Sequence, residues 1–448
     1  MTTSLLWFRR DLRLHDHPAL VAAAQADQVV PLFVLDPRLR GVGAARVQRL
    51  LASLAALRQA TGNALVIRTG RPVRIVAETA AQVGADTVHV SGETTPFGRR
   101  RDAAVAQRLT AEGRALVATG SPYAVTPGRI CGGSGAPYRI FTAFLRSWRE
   151  HGWPRPTAGI DVEWRAGIPS EEPWIGRRGQ SAGEPLAVAA WEDFREHRLD
   201  GYAERRDRAD LEGTSRLSIP LKYGELHPRT LLADLAERAP GLDQPDVERF
   251  VAELAWREFY ADVLWHRPES ARQDWRSGMR AMRYDDDPEL WEAWCAGRTG
   301  YPFVDAGMRQ LLAEGWMHNR LRMVTASFLV KDLHVWWLTG ARHFEAHLLD
   351  ADIASNRHGW QWVAGTGTDA APYFRVFNPV AQGLRFDPEG DYVRRWVPEL
   401  RHVAGSAVHR PWQHPDGYAE DYPKPVVDHG TARRDALTRL DEARRAER

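Results

Sequence analysis

Several short stretches of this 448-residue chain hold side chains able to do chemistry. In Trp316-Met317-His318-Asn319-Arg320-Leu321-Arg322-Met323, helical spacing puts Asn319 on one face with Met323 and with Arg322. An amide, a guanidinium and a thioether on one face suit a nucleobase or another planar ring. Leu348-Leu349-Asp350-Ala351-Asp352-Ile353-Ala354-Ser355-Asn356 adds two carboxylates and an amide after an apolar run, a set able to grip the N–H and C=O edges of a buried ring. Asp350 and Asp352 equally suit helix caps, and His318 reads as a structural histidine. Gly213-Thr214-Ser215-Arg216-Leu217-Ser218 offers three hydroxyls within five residues, enough to hold a phosphate or to cap a helix. Gly359-Trp360-Gln361-Trp362 and the turn from Gly365 to Arg375 set aromatic rings beside a tight polar loop.

Tryptophan is in excess. Of 18 indoles, ten fall between Trp256 and Trp362. Core packing accounts for any one of them. A cluster also admits electron passage or stacking on bases. No metal site is expected, because hard cations recruit more carboxylates than these stretches supply. Two cysteines, Cys131 and Cys295, are too few for a disulfide framework, a four-cysteine zinc site or an iron–sulfur cluster.

The elements that must position these groups are legible in the apolar pattern. Strand-like runs at Leu5–Phe8, Val29–Leu35, Ala64–Ile67, Thr87–Val90 and Ala115–Ala118 alternate with helical patterns near Pro18–Ala26, Ala44–Ala60, Pro72–Val83 and Arg99–Ala111. The alternation predicts an α/β domain over residues 1–125, with a doubly wound parallel sheet. Pro and Gly punctuate residues 126–200, which read as a linker with one helix near Phe141–Glu150. Residues 201–448 read as a large all-helical domain, with amphipathic stretches at Val247–Trp265, Pro288–Ala296, Val304–Glu314, Arg320–Leu333 and Ala341–Leu349. The closing Thr431–Arg448 reads as a solvated helix.

The formal charge of +2 excludes a uniformly basic surface, so any nucleic-acid site must be local. An Arg-rich face with Arg272, Arg276, Arg280 and Arg283 is the candidate phosphate track. No apolar stretch is long enough for a membrane span, and the cysteine usage suits a reducing cytoplasm.

The motifs LLWFRRDLRLHDHPAL, GTSRLS, ELAWREFY, GYPFVDAGMRQL, GWMHNRLRMVTASFLVKDL, LLDADIASNRHGWQW and GTGTDAAPYFRVFNP run in order along nearly the whole chain. Through them it resembles the DNA photolyase/cryptochrome family, and within it a class I cyclobutane pyrimidine dimer photolyase. The resemblance implies an antenna-type first domain, a helical FAD-binding catalytic domain, and a monomer acting on DNA that contains pyrimidine dimers. Repair would proceed by an electron donated from photoexcited, fully reduced FAD to a flipped-out dimer.

Residue by residue, Tyr202 and the turn Thr214, Ser215, Arg216, Leu217 and Ser218 match FAD-binding positions, the turn at the pyrophosphate. Arg257 matches a flavin-side residue, and Arg322 and Asp350 an ion pair beside the isoalloxazine. Ala351 lies between Asp350 and Asp352, the ring-edge partner, and Asn356 matches the residue facing N5. An amide at that position resembles repair enzymes, where plant cryptochromes place Asp. Glu253 and Trp256, three apart on one helical face, match the carboxylate and indole that hold the damaged bases. Asn319, Met323 and Trp362 match lesion-facing positions, and Arg206, Arg320 and Gln382 match DNA contacts.

Two departures stand out. Trp360 and Trp337 match the proximal and middle members of the family's electron-carrying tryptophans, but the distal position holds Tyr284. Either Tyr284 ends the route, or Trp336, Trp291 or Trp275 takes over. Folate-binding members carry Asn-Glu where this chain has Phe97-Gly98, so an 8-hydroxydeazaflavin antenna, or none, fits better than methenyltetrahydrofolate. Rival readings separate on residues. A (6-4) photolyase needs a histidine pair where Asn319 and Met323 stand, and an iron–sulfur member needs four cysteines. A cryptochrome-like photoreceptor with little or no repair activity is the alternative function. A nucleotide-binding module without photochemistry leaves Asp350, Asp352 and the hydroxyl-rich turn unexplained.

Overall fold

A run such as Leu5-Leu6-Trp7-Phe8, apolar at every position, is what a strand covered on both faces requires. In the computed structural model, which describes residues 1–172, 181–238, 244–369 and 374–446, this run is one of five strands in a parallel sheet. Its strands are β1 (Thr3–Phe8), β2 (Gln28–Leu35), β3 (Val66–Thr69), β4 (Thr87–Val90) and β5 (Ala115–Ala118), in the order β3-β2-β1-β4-β5. Helices along the chain are α1 (Pro18–Ala23), α2 (Ala44–Ala60), α3 (Pro72–Val83), α4 (Pro96–Ala111), α5 (Phe141–His151) and α6 (Glu184–His197). Then come α7 (Tyr202–Arg205), α8 (Ser218–Tyr223), α9 (Pro228–Arg238), α10 (Gln244–His266), α11 (Pro288–Cys295) and α12 (Pro302–Glu314). The last are α13 (Asn319–Lys331), α14 (Trp337–His347), α15 (Ile353–Ala364), α16 (Pro379–Phe386), α17 (Asp391–Trp396) and α18 (His429–Ala446).

Two compact units result, Met1–Asp200 with Ser215–Pro268, and Gly201–Thr214 with Glu269–Arg448. In the first, the period-2 alternation of β1 splits the core. Leu5 and Trp7 join Val30, Leu32 and Val76 on one face, while Leu6 and Phe8 join Val29, Phe33 and Leu54 on the other. Strand order reverses at β1, between β2 and β4, where doubly wound sheets offer a crevice beyond the strand ends. In the second unit Phe303, Leu321, Phe328, Trp337, Phe344, Trp360 and Val393 share one core.

The α/β sheet followed by helices is as expected. Three details differ. β3 is shifted from Ala64–Ile67 to Val66–Thr69, because Arg68 is satisfied inside the strand by Thr79 Oγ1 at 3.0 Å. The expected linker contains a second helix, α6, entered through Gly183 at φ 111° with Pro185 in its first turn. The closing helix is not merely solvated, since Ala432, Ala436, Leu440 and Ala443 are buried and Arg439 pairs with Asp285 at 2.7 Å. Part of the Gly365–Arg375 loop (370–373) lies outside the described residues.

Candidate active site

In the first unit, Arg216 adopts φ 53°, a left-handed turn that a non-glycine residue rarely takes. The turn leads into α8, with Leu217 buried and the Ser215 hydroxyl 3.4 Å from the Leu217 amide. Ser218 is exposed at the head of the helix.

α10 brings Glu253, Trp256, Arg257 and Glu258 together. Glu253 is half-buried and lies 3.6 Å from Arg249 one turn earlier. The Trp256 indole lies flat on Phe141, with centroids 3.7 Å apart and planes 8° from parallel, and Phe259 and Tyr260 flank it. Phe141 thus buttresses one indole face. Arg257 donates to the carbonyls of Pro122 and Leu221 at 2.9 and 3.3 Å and stacks over Tyr123, tying α8 to the segment after β5.

Glu258 accepts hydrogen bonds from the amides of Ala124 and Val125 and from Trp148 Nε1. Burial outweighs these donors and pushes its carboxyl up to about 7. A carboxyl raised in the folded state contributes stability that is full below the unfolded pKa and is lost as pH rises through the folded one. The melting temperature is therefore expected to fall between about pH 4.5 and about pH 7, and Glu258→Gln to flatten that slope. Thermal melts across this range check it.

In the second unit, Tyr202 and Arg206 are both buried, with the Arg206 guanidinium 5.9 Å above the Tyr202 ring. Arg320 pairs with Asp207 at 2.7 Å and lies over Phe386. Gln382, on α16, is half-buried with no partner for Oε1 among the described residues. Arg272, Arg276, Arg280 and Arg283 are all exposed, and Arg283 lies 3.5 Å from Glu442. Asn319 is exposed on α13 with Nδ2 4.0 Å from Met323 Sδ, so the expected shared face forms. Thr214 and Trp362 are half-buried.

Asp350 is not a cap. It takes two bonds from Arg322, at 3.2 and 2.8 Å, while Arg322 Nε holds the Met317 carbonyl. Asp352 is a cap, accepting from the amides of Ala354 and Ser355 at the start of α15, and it is buried as well. Ala351 between them is buried. Asn356 spends its Nδ2 hydrogens on the Ala341 carbonyl and Glu345 Oε1 at 2.9 and 3.1 Å.

Several of the indoles are buried. Trp360 is 3% exposed with Nε1 unpartnered among the described residues, and Trp337 is fully buried. Trp336 meets Trp337 edge-on at 6.0 Å. Another line runs from Trp360 to Trp294 at 6.1 Å and on to Trp291 at 5.5 Å. Tyr284 packs against the same core with its hydroxyl unpartnered among the described residues, and burial pushes the phenol up. Gly340 makes room for the Trp360 ring, since a Cβ there would lie 2.3 Å from Cη2. Gly340→Ala is expected to destabilise by about 1–3 kcal/mol through overpacking, read as a lower melting temperature and altered tryptophan fluorescence.

Four contributors had no sequence signal as site residues: Phe141, Glu258, Gly340 and Asp274, which accepts from Trp337 Nε1. Each acts through a partner distant in sequence, which periodicity cannot reveal.

Residues 4–161 match the family described as DNA photolyase, and residues 250–442 the FAD binding domain of DNA photolyase. A curated deoxyribodipyrimidine photo-lyase of Streptomyces griseus is 41% identical, over 97% of this chain and 98% of its own. The chain belongs to the DNA photolyase family. Among solved photolyases, a bacterial class III enzyme from Agrobacterium tumefaciens superposes with a TM-score of 0.93 at 36% identity, covering 99% of this chain and 98% of its own. An archaeal photolyase from Sulfolobus tokodaii, solved with two FAD molecules, gives 0.84 at 28%, covering 98% and 100%.

FAD fits the photolyase residues present here. A hydroxyl-rich turn, the Arg322–Asp350 pair with its buried carboxylate and the Asn356 amide offer donors and acceptors of the kind a flavin nucleotide needs. At the end of β1, Arg9 and Arg101 stack on the buried Trp7, and Arg9 pairs with Asp102 at 2.7 Å. The surrounding guanidiniums of Arg10, Arg9 and Arg101 hold Glu93 below the usual carboxylate range against the opposing effect of burial. The missing side chain of Gly98 makes room for Glu93, whose Cγ would otherwise lie 1.8 Å from a Cβ. Among the described residues, no helix is long and apolar enough to cross a membrane and no metal-binding cluster of His, Cys, Asp and Glu occurs.

Proposed function

We propose that this chain is a deoxyribodipyrimidine photo-lyase, repairing cyclobutane pyrimidine dimers in DNA under light. The observation that carries the reading is the match to curated photo-lyases over 97% of the chain, with the lesion motifs unbroken. FAD, when bound, supplies the light-driven electron. Thr214, Ser215, Arg216, Leu217, Ser218 and Tyr202 hold its phosphates and nucleotide portion. Arg257, Arg322, Asp350, Ala351 and Asp352 line the ring, and Asn356 presents Oδ1 toward N5.

On the substrate side, Trp256 is a stacking platform made rigid by Phe141, and Glu253 accepts from base edges. Asn319, Met323 and Trp362 shape the rest of the lesion pocket. Arg206, Arg320 and Gln382, with the exposed Arg272, Arg276 and Arg280, contact the DNA strand. Flavin reduction draws electrons through Trp360 and Trp337, with Tyr284 at the distal position and Trp291 reachable through Trp294.

Class I membership and a monomeric, cytoplasmic enzyme belong to the same proposal and rest on the motifs and composition. Residues 1–125 form its antenna domain. Phe97 and Gly98, standing where folate-binding members carry Asn-Glu, favour 8-hydroxydeazaflavin over folate. A spectrum of the extracted chromophores tests that part. The central test is a lit-versus-dark assay on thymine-dimer DNA, with repair expected only in light. A protein that binds FAD and repairs nothing in light overturns the reading in favour of a photoreceptor.

A further inference from the structure

Asp274 lies between two short turns of the second unit, Pro268–Ala271 and Ser277–Ala281. It is 5% exposed, and the residues after it are pinned. The Trp275 amide donates to Gln361 Oε1 at 2.8 Å, and the Arg276 amide to the Thr366 carbonyl at 2.9 Å. Asp274 Oδ1 accepts from Trp337 Nε1 at 2.7 Å, inside a fully buried contact. Its charge also acts on the Tyr284 phenol, the distal position of the indole series.

An indole N–H needs only a neutral acceptor, and a backbone carbonyl satisfies it, as Thr325 does for Trp294 at 3.0 Å. Placing a carboxylate there instead carries a desolvation cost that a carbonyl avoids. Burial raises the Asp274 carboxyl above its ordinary range, outweighing the hydrogen bond from Trp337 and the more distant charge of Arg280, and so makes it a stronger base. A base within hydrogen-bond reach of one specific N–H is placed for proton transfer.

We propose that Asp274 is the proton acceptor of the electron route. When Trp337 gives an electron to oxidised Trp360, its N–H bond breaks and the proton crosses to Asp274 Oδ1. Trp337 is left as a neutral radical and Asp274 as a carboxylic acid. Trp360 was itself oxidised by a photoexcited oxidised flavin, which keeps that electron, and the electron from Trp337 restores Trp360 to its neutral form. Losing the proton removes the positive charge that would draw the electron back, so the separated state lasts longer. The inference rests on the reading that Trp337 lies on the route.

Transient absorption of the flavin-loaded protein, in H2O and D2O, tests it together with light-minus-dark infrared spectra. The parent is expected to show a neutral indole radical, slower neutralisation in D2O and a new protonated-carboxyl band. Asp274→Asn keeps an acceptor for the indole but cannot take its proton. It should leave a cation radical, lack the carboxyl band, and lose several-fold in photoreduction yield. A parent with a persistent cation radical and no isotope effect overturns the proposal without any variant. So does an Asp274→Asn protein with the parent's radical spectrum, while Trp337→Phe abolishes photoreduction. Unchanged photoreduction in Trp337→Phe overturns instead the route on which the proposal depends.

Discussion

Trp256→Ala is expected to weaken binding of dimer-containing DNA by about 5- to 150-fold, because stacking a base on an aromatic ring is worth about 1–3 kcal/mol. Binding of undamaged duplex should change little, since phosphate contacts elsewhere supply it. The variant also loses the Phe141 stack, worth about 0.5–1.5 kcal/mol, so some stability goes with it. Trp256→Phe separates the two effects by keeping a ring on Phe141 while shrinking the face offered to the lesion. Titration of both variants with lesion-bearing and intact oligonucleotides, with flavin content measured alongside, decides the matter. Flavin loss on Trp256→Ala would place the indole at the cofactor rather than the lesion.

Arg322→Met should be the most damaging single change to the flavin side. It strips both donors from Asp350, whose side chain is 2% exposed, and leaves a buried carboxylate without its partner. Removing one member of such a pair costs about 3–5 kcal/mol. The expected outcome is a lower melting temperature and loss of FAD on gel filtration. Arg322→Met combined with Asp350→Asn removes the stranded charge and should recover much of the stability. If stability recovers and flavin retention does not, the ion pair serves the cofactor directly. Full flavin retention in the single variant would sink the assignment of this pair to the ring.

Much of the fold was legible because its pattern is local. α2 and α3 begin and end at the expected residues, where apolar spacing, Pro72 and Gly84 all agree. The central strands β1 and β2 were legible because strands covered on both faces leave unbroken apolar runs. α6 was hidden because Gly183 and Pro185, which start it, are also what a linker contains. The inner stripe of α18 was hidden under its charges, as small alanines leave little apolar signal. At the site, Asn319 and Met323 were paired from i,i+4 spacing alone. Whether Asp350 or Asp352 capped a helix was not legible, since it depends on Arg322, 28 residues away from Asp350. Asp274 was invisible for the same reason, its indole partner lying 63 residues downstream.

Gly98 carries a lesson about inheritance. Its absent side chain is filled by Glu93, which is held in turn by the amides of Thr94 and Thr95 and lies 3.7 Å from Arg101. Writing the folate-type Asn-Glu pair into positions 97 and 98 would drive the new glutamate into Glu93 and set two carboxylates in one small space. Positions 93 and 98 are therefore coupled: a side chain can be gained at 98 only where the one at 93 makes room for it.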